Sequence, residues 1–83
     1  MKIKVLYFAR LREQFGIAEE TMEMSAGTVA TLLALLRNRG EPWQQQLGPD
    51  QAFRVAVNQE LADAATLIAA GDEIAIFPPV TGG

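Results

Sequence analysis

The chain has 83 residues, a net charge of −3, and 49% apolar against 20% charged residues. That is the length of one domain, apolar enough to fold and too poor in clustered Lys and Arg to grip nucleic-acid phosphates. It contains neither cysteine nor histidine, which excludes thiol nucleophiles, Cys/His zinc sites, imidazole bases and disulfides.

In chain order, Lys2–Ala9 is rich in β-branched and aromatic residues and predicts a strand. Period-two alternation places Ile3, Val5 and Tyr7 on one face and Leu6 and Phe8 on the other. The stretch LREQFG predicts a helical turn closed by Gly16, and EETMEM a half-exposed strand. The strongest helix signal is GTVATLLALLRNRG, with Thr28 as N-cap, Val29, Leu32, Leu33 and Leu36 as one apolar stripe, and Gly40 as C-cap. Arg10, Arg12, Arg37 and Arg39 are read as a solvated surface. PWQQQLG predicts a short helix whose Trp43 covers the edge of the core.

Phe53–Asn58 predicts a strand with Phe53, Val55 and Val57 on one face, followed by a turn at Asn58-Gln59-Glu60. A last strand runs from Glu73 to Phe77, with Ile74 and Ile76 opposite Ala75 and Phe77. Pro78 and Pro79 end its ladder because neither can donate an N–H. The order strand, strand, helix, strand, strand predicts an α+β domain, a mixed sheet with one main helix packed across it and the first and last strands adjacent at its centre. One domain is expected over residues 1–83, with a flexible tail at 78–83. The run Val5–Ala9 is too short for a signal-peptide core, and Val29–Leu36 is far below the ~20 residues that span a bilayer. The expectation is a cytoplasmic chain with no membrane or nucleic-acid partner.

Little catalytic chemistry is left. Asp72 and Glu73 read as a solvated turn rather than a general acid or a metal site, and no metal site is expected. The unusual group is the carboxylate of Gly83. Pro78 and Pro79 stiffen its approach, and six residues from Pro78 reach at most about 20 Å. Gly82 and Gly83 lack a Cβ and could enter a passage closed to other residues. A carboxylate is a poor electrophile, so a separate enzyme would have to activate it, and a carrier or a conjugated tag both satisfy that logic.

The stretches KVLYFARLRE, AVNQEL and GDEIAIFPPVTGG resemble the ubiquitin-like β-grasp family, and within it the small subunits of molybdopterin synthase, the MoaD-type sulfur carriers. The resemblance covers most of the chain. It implies a subunit that is not an enzyme alone and binds no cofactor, with ATP used by an adenylating enzyme that charges Gly83. Sulfur from a donor enzyme then makes the thiocarboxylate. It also implies that Pro78, Pro79, Val80, Thr81 and Gly82 form a stem inserted into a large catalytic subunit, where sulfur passes to a cyclic pyranopterin precursor in molybdenum cofactor synthesis. The family assembly is a heterotetramer with a central dimer of large subunits. Phe8, Leu61 and Phe77 match apolar positions that face the partner. The alternatives are a carrier for thiamin thiazole, a modifier joined to lysines (such modifiers often carry Arg where this chain has Thr81), and a plain β-grasp interaction module.

Overall fold

A computed structural model describes residues 1–79. Its elements are β1 (Lys2–Tyr7), α1 (Ala9–Phe15), β2 (Glu19–Glu23), β3 (Gly27–Thr28), α2 (Val29–Arg37), α3 (Trp43–Gln46), β4 (Arg54–Val57), β5 (Glu60–Ala62), β6 (Leu67–Ile68) and β7 (Glu73–Phe77). Five strands form one sheet in the order β2-β1-β7-β4-β5, and β3 pairs with β6 in a second, two-stranded sheet. β1 and β7 run parallel and the other pairs in the main sheet are antiparallel. The mixed sheet and the adjacent first and last strands are those expected from the sequence. Among the described residues no helix is long and apolar enough to cross a membrane.

Alternation builds the core. Ile3, Val5 and Tyr7 of β1 and Ile74 and Ile76 of β7 are all buried and belong to one cluster with Val29, Leu32 and Leu36 of α2. Each such side chain, fully buried, contributes about 1.5–3 kcal/mol of hydrophobic stabilisation. Leu11, Leu47 and Ile68 extend the cluster from α1, the end of α3 and β6. α2 begins in a capping box: the Thr31 amide donates to Thr28 Oγ1 at 3.4 Å and the Thr28 amide to Thr31 Oγ1 at 3.1 Å. These bonds satisfy donors that the first helical turn would leave unpaired.

Two sequence expectations are corrected here. α2 ends at Arg37 with Asn38 as its C-cap, so Gly40 does not cap it; Gly40 instead takes a left-handed turn, at φ 90°, into α3. The residues after Asn58 form more than a turn. Asn58 and Gln59, at φ 51° and 69°, make a two-residue hairpin between β4 and β5. Asn58 Nδ2 donates to Asp72 Oδ1 at 2.9 Å and the Glu73 amide to Asn58 Oδ1 at 3.0 Å, which ties this hairpin to the start of β7. Asp72 is thus a turn clamp, its carboxyl held below the usual range by the Ala69 amide and the Asn58 side chain.

Arg12 is exposed as expected, but Arg10, Arg37 and Arg39 are engaged in contacts within the chain. Arg39 donates to both oxygens of Glu20, at 2.8 and 2.9 Å, and lies 4.5 Å over the Trp43 ring. The other face of Trp43 stacks on Phe15 at 3.8 Å, and the Tyr7 hydroxyl donates to Glu20 at 2.6 Å. Arg37 donates to the Leu47 carbonyl at 3.2 Å, and Arg10 to Gln46, Gln51 and the Ala52 carbonyl. Trp43 therefore covers the core edge as expected, while the arginines fasten the segment between α2 and β4.

Arg39 holds the Glu20 carboxyl below the usual carboxylate range, with the Tyr7 hydroxyl adding to the effect. A carboxyl depressed on folding contributes stability above its unfolded value, about 4.3, and loses it as the pH falls through the folded value. Glu20→Gln should lower Tm at pH 7 by roughly 4–8 °C, the equivalent of about 1 kcal/mol in a domain of this size. The gap from wild type should narrow as the pH falls below about 4.3 and through the lowered folded value. A gap that keeps its pH 7 size all the way down the acid limb, measured by thermal melts, would show that the carboxylate charge is not what Arg39 and Tyr7 recognise.

Candidate partner-docking face

The same alternation that fills the core puts a second set of residues on the opposite face of the sheet. Leu6 pairs with Ala75, Ala75 with Ala56, and Ala56 with Leu61, so one row of apolar side chains crosses β1, β7, β4 and β5. Helix α2 covers the other face, so this row points away from it, with Leu61 exposed, Leu6 and Ala75 half-buried and the small Ala56 buried.

Beyond that row lie the two aromatics. Phe8 follows β1 in extended backbone, φ −124° and ψ 154°, and its amide donates to the Ile76 carbonyl at 3.2 Å. The chain then turns through Ala9, at φ 52°. A left-handed alanine costs about 1–2 kcal/mol, and the turn allows Phe8 to stay outside while Leu11 enters the core. Phe8 is 43% exposed and Leu61 73% exposed, whereas Phe77, Pro78 and Pro79 are half-buried. Phe8, Ala9, Ala75, Phe77 and Pro78 line an open apolar hollow of about 440 Å³. No described loop covers it.

The structure thus gathers Phe8, Phe77 and Pro78 around one depression at the end of β7, where the stem begins. Leu61 is on the same face but two strands away on β5, reached through Ala75 and Ala56. Pro79 continues the stem. Val80, Thr81, Gly82, Gly83 and the flexibility expected of the tail lie outside the described residues. Sequence reasoning did not single out Ala9, Ala75 and Ala56. Alternation already placed Ala75 beside Phe77; the position of Ala56 depends on the register between β4 and β7, which no local pattern encodes.

The charges on this face sit at both ends: Arg54 lies opposite Phe77 beside the stem, and Lys4 lies toward the other end of β1. Lys4 pairs with Glu19 at 2.9 Å, and that hydrogen bond raises the lysine above its usual range. The face therefore runs from an ion-paired end to an apolar hollow beside the stem with Arg54 at its border strand. An exposed apolar patch bordered by polar residues is the usual form of a protein–protein docking surface.

A family model, the ThiS family, matches residues 5–83. The chain belongs to the ThiS family. The molybdopterin synthase sulfur carrier subunit of Haemophilus influenzae is 37% identical over 81 residues, spanning 98% of this chain and 99% of that protein. The crystal structure of SAMP1 from Haloferax volcanii superposes with a TM-score of 0.80 at 31% identity over 100% of both chains. A chain in the solved complex of subunits 1 and 2 of the molybdopterin-converting factor of Helicobacter pylori superposes with a TM-score of 0.72 at 27% identity, again over 100% of both chains. The architecture is the α+β, ubiquitin-like β-grasp fold expected from the sequence, and this ThiS-family member shares it along its whole length with these structures.

Proposed function

We propose that this chain is the sulfur-carrier small subunit of a molybdopterin synthase. The observation that carries the reading is the outward aromatic hollow of Phe8, Ala9, Ala75, Phe77 and Pro78, placed where β7 gives way to the stem. The likeness over nearly the whole chain to a curated sulfur carrier supports it.

In this reading Phe8, Leu61 and Phe77 rest against the large catalytic subunit. Pro78, Pro79, Val80, Thr81 and Gly82 lead Gly83 into that subunit's active site. A separate enzyme joins the Gly83 carboxylate to AMP, using ATP, and a sulfur nucleophile supplied by a donor enzyme displaces AMP to leave a thiocarboxylate. The large subunit then moves that sulfur to a cyclic pyranopterin precursor. The carrier binds no cofactor. Its own contribution is positional: a rigid sheet fixes the docking face, and the stem delivers the reacting atom at a set distance from it. Holding reactants in place in this way is worth several kcal/mol of barrier.

The division of labour is testable by reconstitution. The sequence contains no histidine and no cysteine, so any imidazole base or covalent thiol relay for the transfer comes from the partner. The thiocarboxylated protein alone should leave the precursor unchanged, and adding the large subunit should start conversion. Turnover by the charged small subunit alone, followed by product formation against time, would contradict a purely carrying role.

A further inference from the structure

Phe77 does not have an apolar residue opposite it on β4. Arg54 of β4 lies directly opposite Phe77 of β7, and directly opposed residues in an antiparallel ladder project from the same face, with Cβ atoms about 4.5–5.5 Å apart. The side chain is exposed. Among the described residues it makes neither an ion pair nor a side-chain hydrogen bond; Lys2 and Arg12 also make none, whereas Lys4 and Arg39 are ion-paired and Arg10 and Arg37 donate to acceptors within the chain. Arg54, unpaired among the described residues, thus stands beside Phe77, a residue that lines the apolar hollow, on the strand away from Phe8.

We propose that Arg54 selects a partner surface that carries a carboxylate at the border of its own apolar patch. This inference rests on the molybdopterin-synthase reading and adds the charge of the partner to it. When a partner closes over Phe77, it also removes water from the adjacent guanidinium. A cation desolvated without a counter-charge opposes binding, while an Asp or Glu opposite it restores the lost interaction and can bind the planar guanidinium through two parallel hydrogen bonds. Charges at an interface rim chiefly set partner choice and association rate. The apolar hollow then gives adhesion, and Arg54 rejects surfaces that are apolar but uncharged or basic.

The test is a binding titration of the wild-type chain, Arg54→Lys, Arg54→Gln and Arg54→Glu against the large catalytic subunit from the same organism, at about 0.05 M and about 1 M NaCl, where the screening length falls from over 10 Å to about 3 Å. At low salt, Arg54→Glu should bind about 10–100-fold more weakly, Arg54→Gln about 3–10-fold, and Arg54→Lys within about threefold of wild type. The Arg54→Glu loss should shrink at least severalfold at high salt, with Tm unchanged in all variants. Equal binding by Arg54→Glu and wild type overturns the inference and leaves the carrier reading standing. A loss identical at both salt concentrations also overturns it, because it would be steric. A wild-type chain that fails to bind the large subunit overturns the reading itself, and the inference with it.

Discussion

Appending a single alanine after Gly83 should abolish sulfur loading and precursor conversion while leaving thermal stability at the wild-type value. The proposed reacting atom is the Gly83 carboxylate carbon, and one more residue moves the carboxylate about 3.3–3.6 Å along the chain. Misplacement of about 1 Å can already cost roughly 100-fold in rate, so a full residue should reduce loading below detection. The fold should not register the change, because among the described residues the last one paired in the sheet is Phe77 and the core lies between the sheet and α2. Melting temperature and thiocarboxylate yield measured on the same preparation separate the two effects. Normal loading with the extra alanine still attached would mean that the terminus is not the reactive group.

The second large effect is expected at the docking face. Phe77→Arg should weaken binding to the large subunit by at least about 100-fold, or roughly 3 kcal/mol, with little loss of fold stability. A phenylalanine buries about 150–250 Å² when fully covered, and anchors of this type commonly cost 2 kcal/mol or more when removed from an interface. The arginine adds a second penalty, since a cation would be desolvated among Phe8, Ala75 and Pro78. In the free chain Phe77 is half-buried on the outer face, and its neighbours Ile74 and Ile76 carry the core, so the variant should still fold. Unfolding of Phe77→Arg, read by circular dichroism, would place Phe77 in the core and remove it from the docking face.

How much of this was legible in the sequence depended on whether the determining pattern was local. The strand positions Ile3, Val5, Tyr7, Ile74 and Ile76 and the helix positions Val29, Leu32 and Leu36 repeat at the periods of their elements, and all became core. Thr28 declared the start of α2 by its chemistry. The end of α2 was misjudged because Gly40 resembles a C-cap, while the chain leaves the helix earlier, at Asn38. β3, β5 and β6 were missed because two or three residues are too few to show alternation, and Leu61 and Leu67 are exposed. The Tyr7–Glu20–Arg39 network was invisible for another reason: Arg39 and Glu20 are 19 residues apart, and nothing local pairs them.

The candidate site divides along the same line. Phe8 and Phe77 could be placed on the outer face by counting, because each belongs to or continues a strand whose inner residues are unmistakable. Leu61 came from the family resemblance, and the structure locates it on the same face at the sheet edge. Arg54 and Ala56 required the register of β4 against β7. That register is a tertiary fact, set by which residues of β4 meet the core.

The central claim is that Gly83 carries sulfur, and the most direct measurement is the mass of the C-terminal peptide from protein purified from its own host under reducing, thiol-protecting conditions. The account predicts a fraction of the peptide in which one sulfur replaces one oxygen, located on Gly83 by fragmentation, and absent from cells lacking the adenylating enzyme. A peptide found only as the free carboxylate and as isopeptide conjugates to lysines of other proteins would contradict it and identify a protein modifier instead.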